Sequence, residues 1–315
     1  MTIVRTIPPK IALFCPQDKD AQTWAQALQE AQPDFDVKAW PAQHDSADYA
    51  IVWSPSQAFI DAHAGVKAIF NMGAGVDGVL KVLLPAHIPL VRLEDAGMGL
   101  QMAQYVSHAV LGYFRGIASF NQQMHQGVWK PRRQNLHRDF PVGILGLGVL
   151  GAQVAASVAA LGFPVNGWSQ SAKQIDAVQC FTGNDALNDF LAATRILVCL
   201  LPLTPQTQNI LCKTNLERLQ PKAYVINVAR GGHLVDEDLI ALLDSGHIAG
   251  ATLDVFRTEP LPADHPFIGK TTITLTPHIS ALTLMAESIG QISGKIRAMH
   301  SGEAISGIVD RSKSY

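Results

Sequence analysis

Short aliphatic runs separated by amphipathic ones set the rhythm of the opening third of the chain. KIALFC (10–15), FDVKAW (35–40), YAIVW (49–53), VKAIFN (66–71) and IPLVRL (88–93) predict strands, because brief, nearly continuous apolar runs suit a sheet covered on both faces. DAQTWAQALQEA (20–31) and VDGVLKVLL (76–84) place apolar residues at helical spacing instead. From Gly99 onward, Met102, Tyr105, Val106, Ala109, Val110, Tyr113, Phe114 and Ile117 form one stripe without an internal proline. That stripe predicts a long helix, placed to bridge two domains.

A second alternation begins at Phe140. FPVGIL (140–145), FPVNGW (163–168), ILVCLL (196–201), AYVINV (223–228), GATLDVF (250–256) and TTITLT (271–276) predict strands, and a helix opens near Asp236 and stops at Gly246. Strand and helix in turn imply parallel sheets with covered faces. The expected class is therefore α/β, with two doubly wound parallel-sheet domains. The chain beyond about Ser280 reads as helix returning to the first domain, which gives boundaries of 1–98 plus 283–315 and 99–282.

Composition narrows the partners. A length of 315 residues suits two cores better than one. Basic and acidic residues nearly cancel, 24 against 26, so no field attracts nucleic acid or an anionic membrane. Cys15, Cys180, Cys199 and Cys212 lack metal-ligand or redox spacing and are expected to be reduced. No apolar run approaches the roughly 20 residues that span a bilayer, and no secretory pattern opens the chain. The expectation is a soluble cytoplasmic protein acting on a small molecule.

GILGLGVLGAQVAASVAALG (143–162) holds a GxGxxG loop at Gly146, Gly148 and Gly151, with Val149 and Leu150 opening the helix behind it. A strand before and an apolar helix after make the motif a candidate dinucleotide site, because backbone N–H groups and the helix dipole then face a pyrophosphate. An NAD-type unit ends its second strand in Asp or Glu, to accept from the ribose 2′-hydroxyl. Here the strand ends WSQSAK and Ser169 stands in that place. Ser169, Gln170 and Ser171 could hydrogen-bond a 2′-phosphate, with Lys173 either adding charge or simply solvated. NADP is expected over NAD, with NAD still possible.

Three further stretches follow successive strands. INVARGG places Arg230 after one strand, LDVFRTEPLP places Asp254 and Glu259 after the next, and LTPHIS places His278 where Pro277 ends the last ladder. With these, the chain resembles the D-2-hydroxyacid dehydrogenase family, and most of all its glyoxylate/hydroxypyruvate reductase A branch. SADYAIVWSPS, NMGAGVDGVL, RLEDAGMGLQMAQYV, the glycine loop, LPLTPQT, NVARGGHLVDEDL, LDVFRTEPLP, TPHIS and the terminal VDRSKSY carry the resemblance nearly end to end.

The resemblance implies a flavodoxin-like substrate domain and a Rossmann cofactor domain with a cleft between them. It implies His278 as acid–base residue, Glu259 as its partner and Arg230 as the substrate arginine. Reduction of a 2-keto acid needs a proton donor titrating near neutrality, which is imidazole's range, and a planar cationic fork suits a carboxylate. The loop NMGAGVD offers the Gly73, Ala74 and Gly75 backbone to the same carboxylate, unless it is a plain strand-to-helix turn. Trp53 either walls the pocket or belongs to the core. Leu201, Pro202, Val228 and Ala229 match segments flanking the cofactor; Asp254 lies near the nicotinamide or caps a loop. The implied activity is NADPH-dependent reduction of glyoxylate or hydroxypyruvate by a homodimer. A D-lactate or phosphoglycerate dehydrogenase, or a dinucleotide sensor without activity, are the alternatives.

Overall fold

The computed structural model describes residues 8–42 and 44–312. The chain divides into two compact units, Met1–Gly97 with Thr283–Tyr315, and Met98–Leu282.

The first unit begins β1 (Lys10–Phe14), α1 (Asp18–Ala31), β2 (Asp36–Ala39), β3 (Tyr49–Val52), α2 (Gln57–Ala62), β4 (Ala68–Asn71) and β5 (Leu90–Val91). Its strands pair in parallel in the order β2-β1-β3-β4-β5, the flavodoxin-like arrangement. Every residue of β3 and β4 is buried. Covered faces on both sides explain why those runs are continuously apolar rather than alternating.

The helix expected over 76–84 is absent; only Val79–Lys81 make a 3-10 turn. Val82 is already extended and Leu83 is 83 % exposed. Three valines, Gly78 and the coming Pro85 give this stretch poor helix propensity despite its apolar spacing. Val76 and Val79 are buried, and the Val79 N–H donates to the Val76 carbonyl at 3.0 Å.

The second unit contains α3 (Met98–Arg115), α4 (Ile117–His125), β6 (Val142–Leu145), α5 (Val149–Ala160), β7 (Val165–Ser169), β8 (Val178–Thr182), α6 (Leu187–Ala192), β9 (Ile196–Cys199), α7 (Lys213–Leu216), β10 (Ala223–Asn227), α8 (Asp236–Asp244), β11 (Ile248–Leu253) and β12 (Ile273–Leu275). The chain then returns to the first unit as α9 (Met285–His300). The seven strands are parallel in the order β12-β11-β10-β9-β6-β7-β8. The order reverses between β6 and β9, and parallel pairing puts every carboxyl end on one edge, where doubly wound sheets bind ligands. β8 escapes a sequence reading because it is an edge strand, VQCFT, with Gln179 and Thr182 exposed.

The long apolar stripe packs inside the second unit. Met102, Val106, Val110 and Phe114 of α3 share one core cluster with Val154 and Val158 of α5 and with Ile144 and Val198 of the sheet. Gly99 permits close approach, since a Cβ there would meet the Gln153 side chain at 1.8 Å. The stripe stops at Gly116, whose φ of 66° is left-handed.

Among the described residues, no helix is long and apolar enough to cross a membrane. The four cysteines are free thiols, and burial pushes Cys15 up to about 11 and Cys199 up to about 12.

Candidate active site

β6 runs into the glycine loop at the point of strand reversal. Gly146 has φ 104°, and a Cβ there would stand 2.9 Å from the Leu200 carbonyl oxygen. At Gly151 a Cβ would lie 1.8 Å from the Gly146 oxygen. Backbone occupies the space at both positions, so neither tolerates a side chain. Gly148 is different: it is exposed, and nothing lies within 4 Å of its missing Cβ. Open backbone at the N-cap of α5 is what a pyrophosphate needs. The loop therefore fits a dinucleotide, with Val149 exposed and Leu150 half-buried at the helix start.

The other cofactor candidates separate into two kinds. Leu201, Val228 and Ala229 bury their side chains in the core clusters and can offer a ligand only backbone, whereas Pro202 is exposed. Ser169 is 8 % exposed and its hydroxyl donates to the Ser171 carbonyl at 2.7 Å. Its proton shapes the turn after β7. Gln170, Ser171 and Lys173 are exposed beside it, and no carboxylate occupies the strand end.

Arg230, Glu259 and His278 stand on loops leaving the neighbouring strands β10, β11 and β12. Asn227, fully buried at the end of β10, accepts from the Ala229 N–H at 3.2 Å and donates to the Arg230 carbonyl at 3.0 Å. The next residue, Gly231, presses on the following loop so closely that a Cβ would be 1.8 Å from the Phe256 carbonyl carbon. That contact sets the Arg230 loop against the loop carrying Glu259. The Arg230 guanidinium lies along its own backbone, donating to Ala229 O at 2.6 Å.

Glu259 and His278 meet directly. His278 Nδ1 is 2.8 Å from Glu259 Oε2, while Glu259 Oε1 accepts from the Phe256 N–H at 2.9 Å. The carboxylate thus fixes the ring from a fixed position of its own. With Nδ1 engaged by Glu259, Nε2 is the ring's other nitrogen, on a side chain that remains 45 % exposed. So exposed a pair adds less than about 1 kcal/mol to folding. Its arrangement matters for chemistry more than for stability.

His278 also carries backbone strain. Its φ of 57° is left-handed, a conformation costing a side chain-bearing residue about 1 kcal/mol or more. Asp254, 0 % exposed, holds it there. The Asp254 carboxylate accepts from the Thr276 hydroxyl at 2.6 Å and from the N–H groups of Ile279 and Ser280 at 2.8 Å each, and its carbonyl accepts from His278 N at 2.9 Å. Of the two sequence readings for Asp254, its carboxylate fulfils the loop cap.

In the first unit, β4 opens into the 71–75 loop. Asn71, 1 % exposed, donates to the carbonyls of Gly73 at 2.9 Å and Gly75 at 2.8 Å. Trp53 is 44 % exposed, so it is not a core residue. Its ring lies over Gly73, where a Cβ would come within 2.6 Å of it. The tryptophan and the loop backbone thus form one surface, with Ala74 and Gly75 partly buried beside it.

Comparison with known proteins gives the family. Residues 107–280 match the family model described as the NAD binding domain of D-isomer specific 2-hydroxyacid dehydrogenases. A glyoxylate/hydroxypyruvate reductase A from Photorhabdus laumondii is 44% identical over 303 residues, 94% of this chain and 97% of that protein. The chain belongs to the D-isomer specific 2-hydroxyacid dehydrogenase family. It is an NAD(P)-dependent oxidoreductase. Among solved structures, a family member from Xanthobacter autotrophicus Py2 in complex with NADPH and MES superposes with a TM-score of 0.92 at 37% identity, covering 98% of this chain and 100% of that one. An NADPH-dependent glyoxylate/hydroxypyruvate reductase from Sinorhizobium meliloti, in complex with NADP and sulfate, gives 0.88 at 31% identity with the same coverage.

Several residues that build this dehydrogenase's site carry little sequence signal. Asn71 and Asn227 were legible only as single polar residues closing aliphatic strands, AIFN and AYVIN. Arg257 donates to the Leu234 carbonyl and to Asn209 Oδ1, tying the Glu259 loop to two others. No spacing rule connects those positions.

Proposed function

We propose that this dehydrogenase reduces glyoxylate to glycolate and hydroxypyruvate to D-glycerate with NADPH. The observation carrying the reading is the 2.8 Å pair of His278 Nδ1 and Glu259 Oε2 on the loop edge beside Arg230. A nicotinamide dinucleotide on the Gly146–Gly151 loop supplies the hydride. His278 gives a proton from Nε2 to the keto oxygen, and Glu259 orients the ring and balances the imidazolium. Arg230 turns its fork to the substrate carboxylate and polarises the keto group. In the first unit, the backbone N–H groups of Gly73, Ala74 and Gly75 suit a carboxylate, and the Trp53 ring over Gly73 limits the size of what that loop can hold.

Preference for NADPH is supported by the strand end at Ser169, Gln170 and Ser171, which holds no carboxylate to repel a 2′-phosphate, and by similar proteins that bind NADP or NADPH. Asp254 acts through the His278 loop. The reading includes a homodimer, supported by family resemblance alone; the molar mass in solution tests it. Steady-state rates with NADPH and NADH against glyoxylate, hydroxypyruvate, pyruvate and 3-phosphohydroxypyruvate test the rest. The first two acids with NADPH should give the highest kcat/KM. Faster turnover of pyruvate or the phosphorylated acid would replace the substrate assignment, and equal rates with NADH would remove the cofactor preference.

A further inference from the structure

His233 takes no part in the chemistry above, yet it is 0 % exposed between two of the site's loops. It closes the short turn Gly231–His233 that follows Arg230. Its Nδ1 lies 3.0 Å from the Arg230 carbonyl oxygen and its Nε2 3.2 Å from the Pro202 carbonyl oxygen. Carbonyl oxygens only accept. Each contact is therefore a hydrogen bond only when that ring nitrogen bears a proton.

The main chain around the ring is anchored on its far side. Asn209 N donates to Gly232 O at 3.0 Å and Leu211 N to His233 O at 2.9 Å. Arg230 is anchored through its carbonyl, which accepts from the His233 backbone N–H at 3.2 Å and from Asn227 Nδ2 at 3.0 Å as well as facing the His233 ring. The Pro202 carbonyl accepts from the Thr207 hydroxyl at 2.6 Å. With a proton on each nitrogen the ring ties the segment after β9 to the loop after β10 that carries the arginine, and with one proton it holds only one of them.

We propose that His233 is a positioning residue, whose ring fixes the Arg230 loop to the Pro202 segment so that the substrate arginine is held in register with the bound dinucleotide. The inference rests on the proposed role of Arg230. Complete burial separates His233 from any direct part in proton transfer. The competing account is a core histidine that serves stability alone.

Two amides separate the ring's ends: His233→Asn places an N–H near the Nδ1 position, and His233→Gln places one near Nε2. His233→Leu fills the space with neither. With each enzyme saturated in NADPH, His233→Leu should raise KM for glyoxylate about tenfold, the scale of one lost hydrogen bond in a buried site. His233→Asn should bring KM back to within about twofold, while His233→Gln should restore NADPH affinity, read by fluorescence titration, without restoring KM. If all three keep the parent KM, or if KM follows melting temperature with Asn and Gln indistinguishable, the proposal fails. Should His233→Leu not fold, the Asn and Gln pair still decides. Arg230→Ala is the control. Unchanged KM there refutes the parent reading and this inference together, whereas a raised KM there with an unmoved His233 series refutes this inference alone.

Discussion

At the end of β4 the Asn71 amide donates to two carbonyls of the loop that follows, whereas just past β11 the Asp254 carboxylate accepts two N–H groups and a hydroxyl from the His278 loop. Both side chains are at most 1 % exposed, and both fold the loop that carries the proposed function. Their opposite polarity leaves opposite surfaces. An amide that gathers carbonyls leaves backbone N–H groups uncommitted by it, which favours an anion. A buried carboxylate that gathers N–H groups must be fully hydrogen-bonded to be tolerated, and it holds the backbone on which the His278 ring stands. In the proposed reading, one loop meets the substrate through backbone and the other through a side chain placed by backbone.

Substitutions at either end test that contrast. His278→Ala should have the largest effect on rate, lowering kcat by about 10²–10⁴. Its melting temperature should stay close to the parent, because the ring is half-exposed; equal losses of rate and stability would contradict the division drawn here. Asp254→Ala should lose both. Three donors in a buried site lose their acceptor, costing about 3 kcal/mol by denaturant titration, and kcat should fall because the strained His278 conformation is released. A normal kcat in a destabilised Asp254→Ala enzyme would detach the cap from the chemistry.

Asn71→Asp inverts the first loop's polarity by facing a carboxylate to two carbonyls. KM for the keto acid should rise about tenfold or more, with a stability loss of about 2 kcal/mol, whereas dinucleotide affinity should be retained. Asn71→Ala should fall between that variant and the parent, and the reverse order would mean that polarity is not the cause. Trp53→Phe should give the smallest change, a shift of about twofold in KM toward bulkier acids, because it alters only size on a partly exposed surface. A comparison of glyoxylate with hydroxypyruvate reads it.

Much of the fold was legible because covered parallel strands need unbroken apolar runs, as in YAIV and AIFN, and because the glycine loop combines local turn demands with a helix start. The 76–84 segment misled because apolar spacing outlasts helix propensity: its valines pack, but Gly78 and Pro85 keep it from winding. Of the site, the dyad's members were legible through their motifs. The direction of the Ser169 hydroxyl, inward onto Ser171, was not, since a side chain's partner two residues away depends on the turn it helps to make. The stripe named the buried face of α3 at Met102, Val106, Val110 and Phe114, but its last member, Ile117, is exposed on α4, and the element covering that face was not legible.

The sequence by itself determined the strand and helix alternation, the glycine positions and the residue types available for proton transfer and anion binding, because these follow from local sterics and from chemistry intrinsic to each side chain. Only the tertiary structure decided that Glu259 reaches His278, that Gly231 lies against Phe256, and that Asn71, Asn227 and Asp254 each shape a loop. Asn71 and Asn227 act within their own loops, whereas the other contacts join residues after neighbouring parallel strands of the seven-stranded sheet, and strand order in a sheet is set by packing, not by position in the chain.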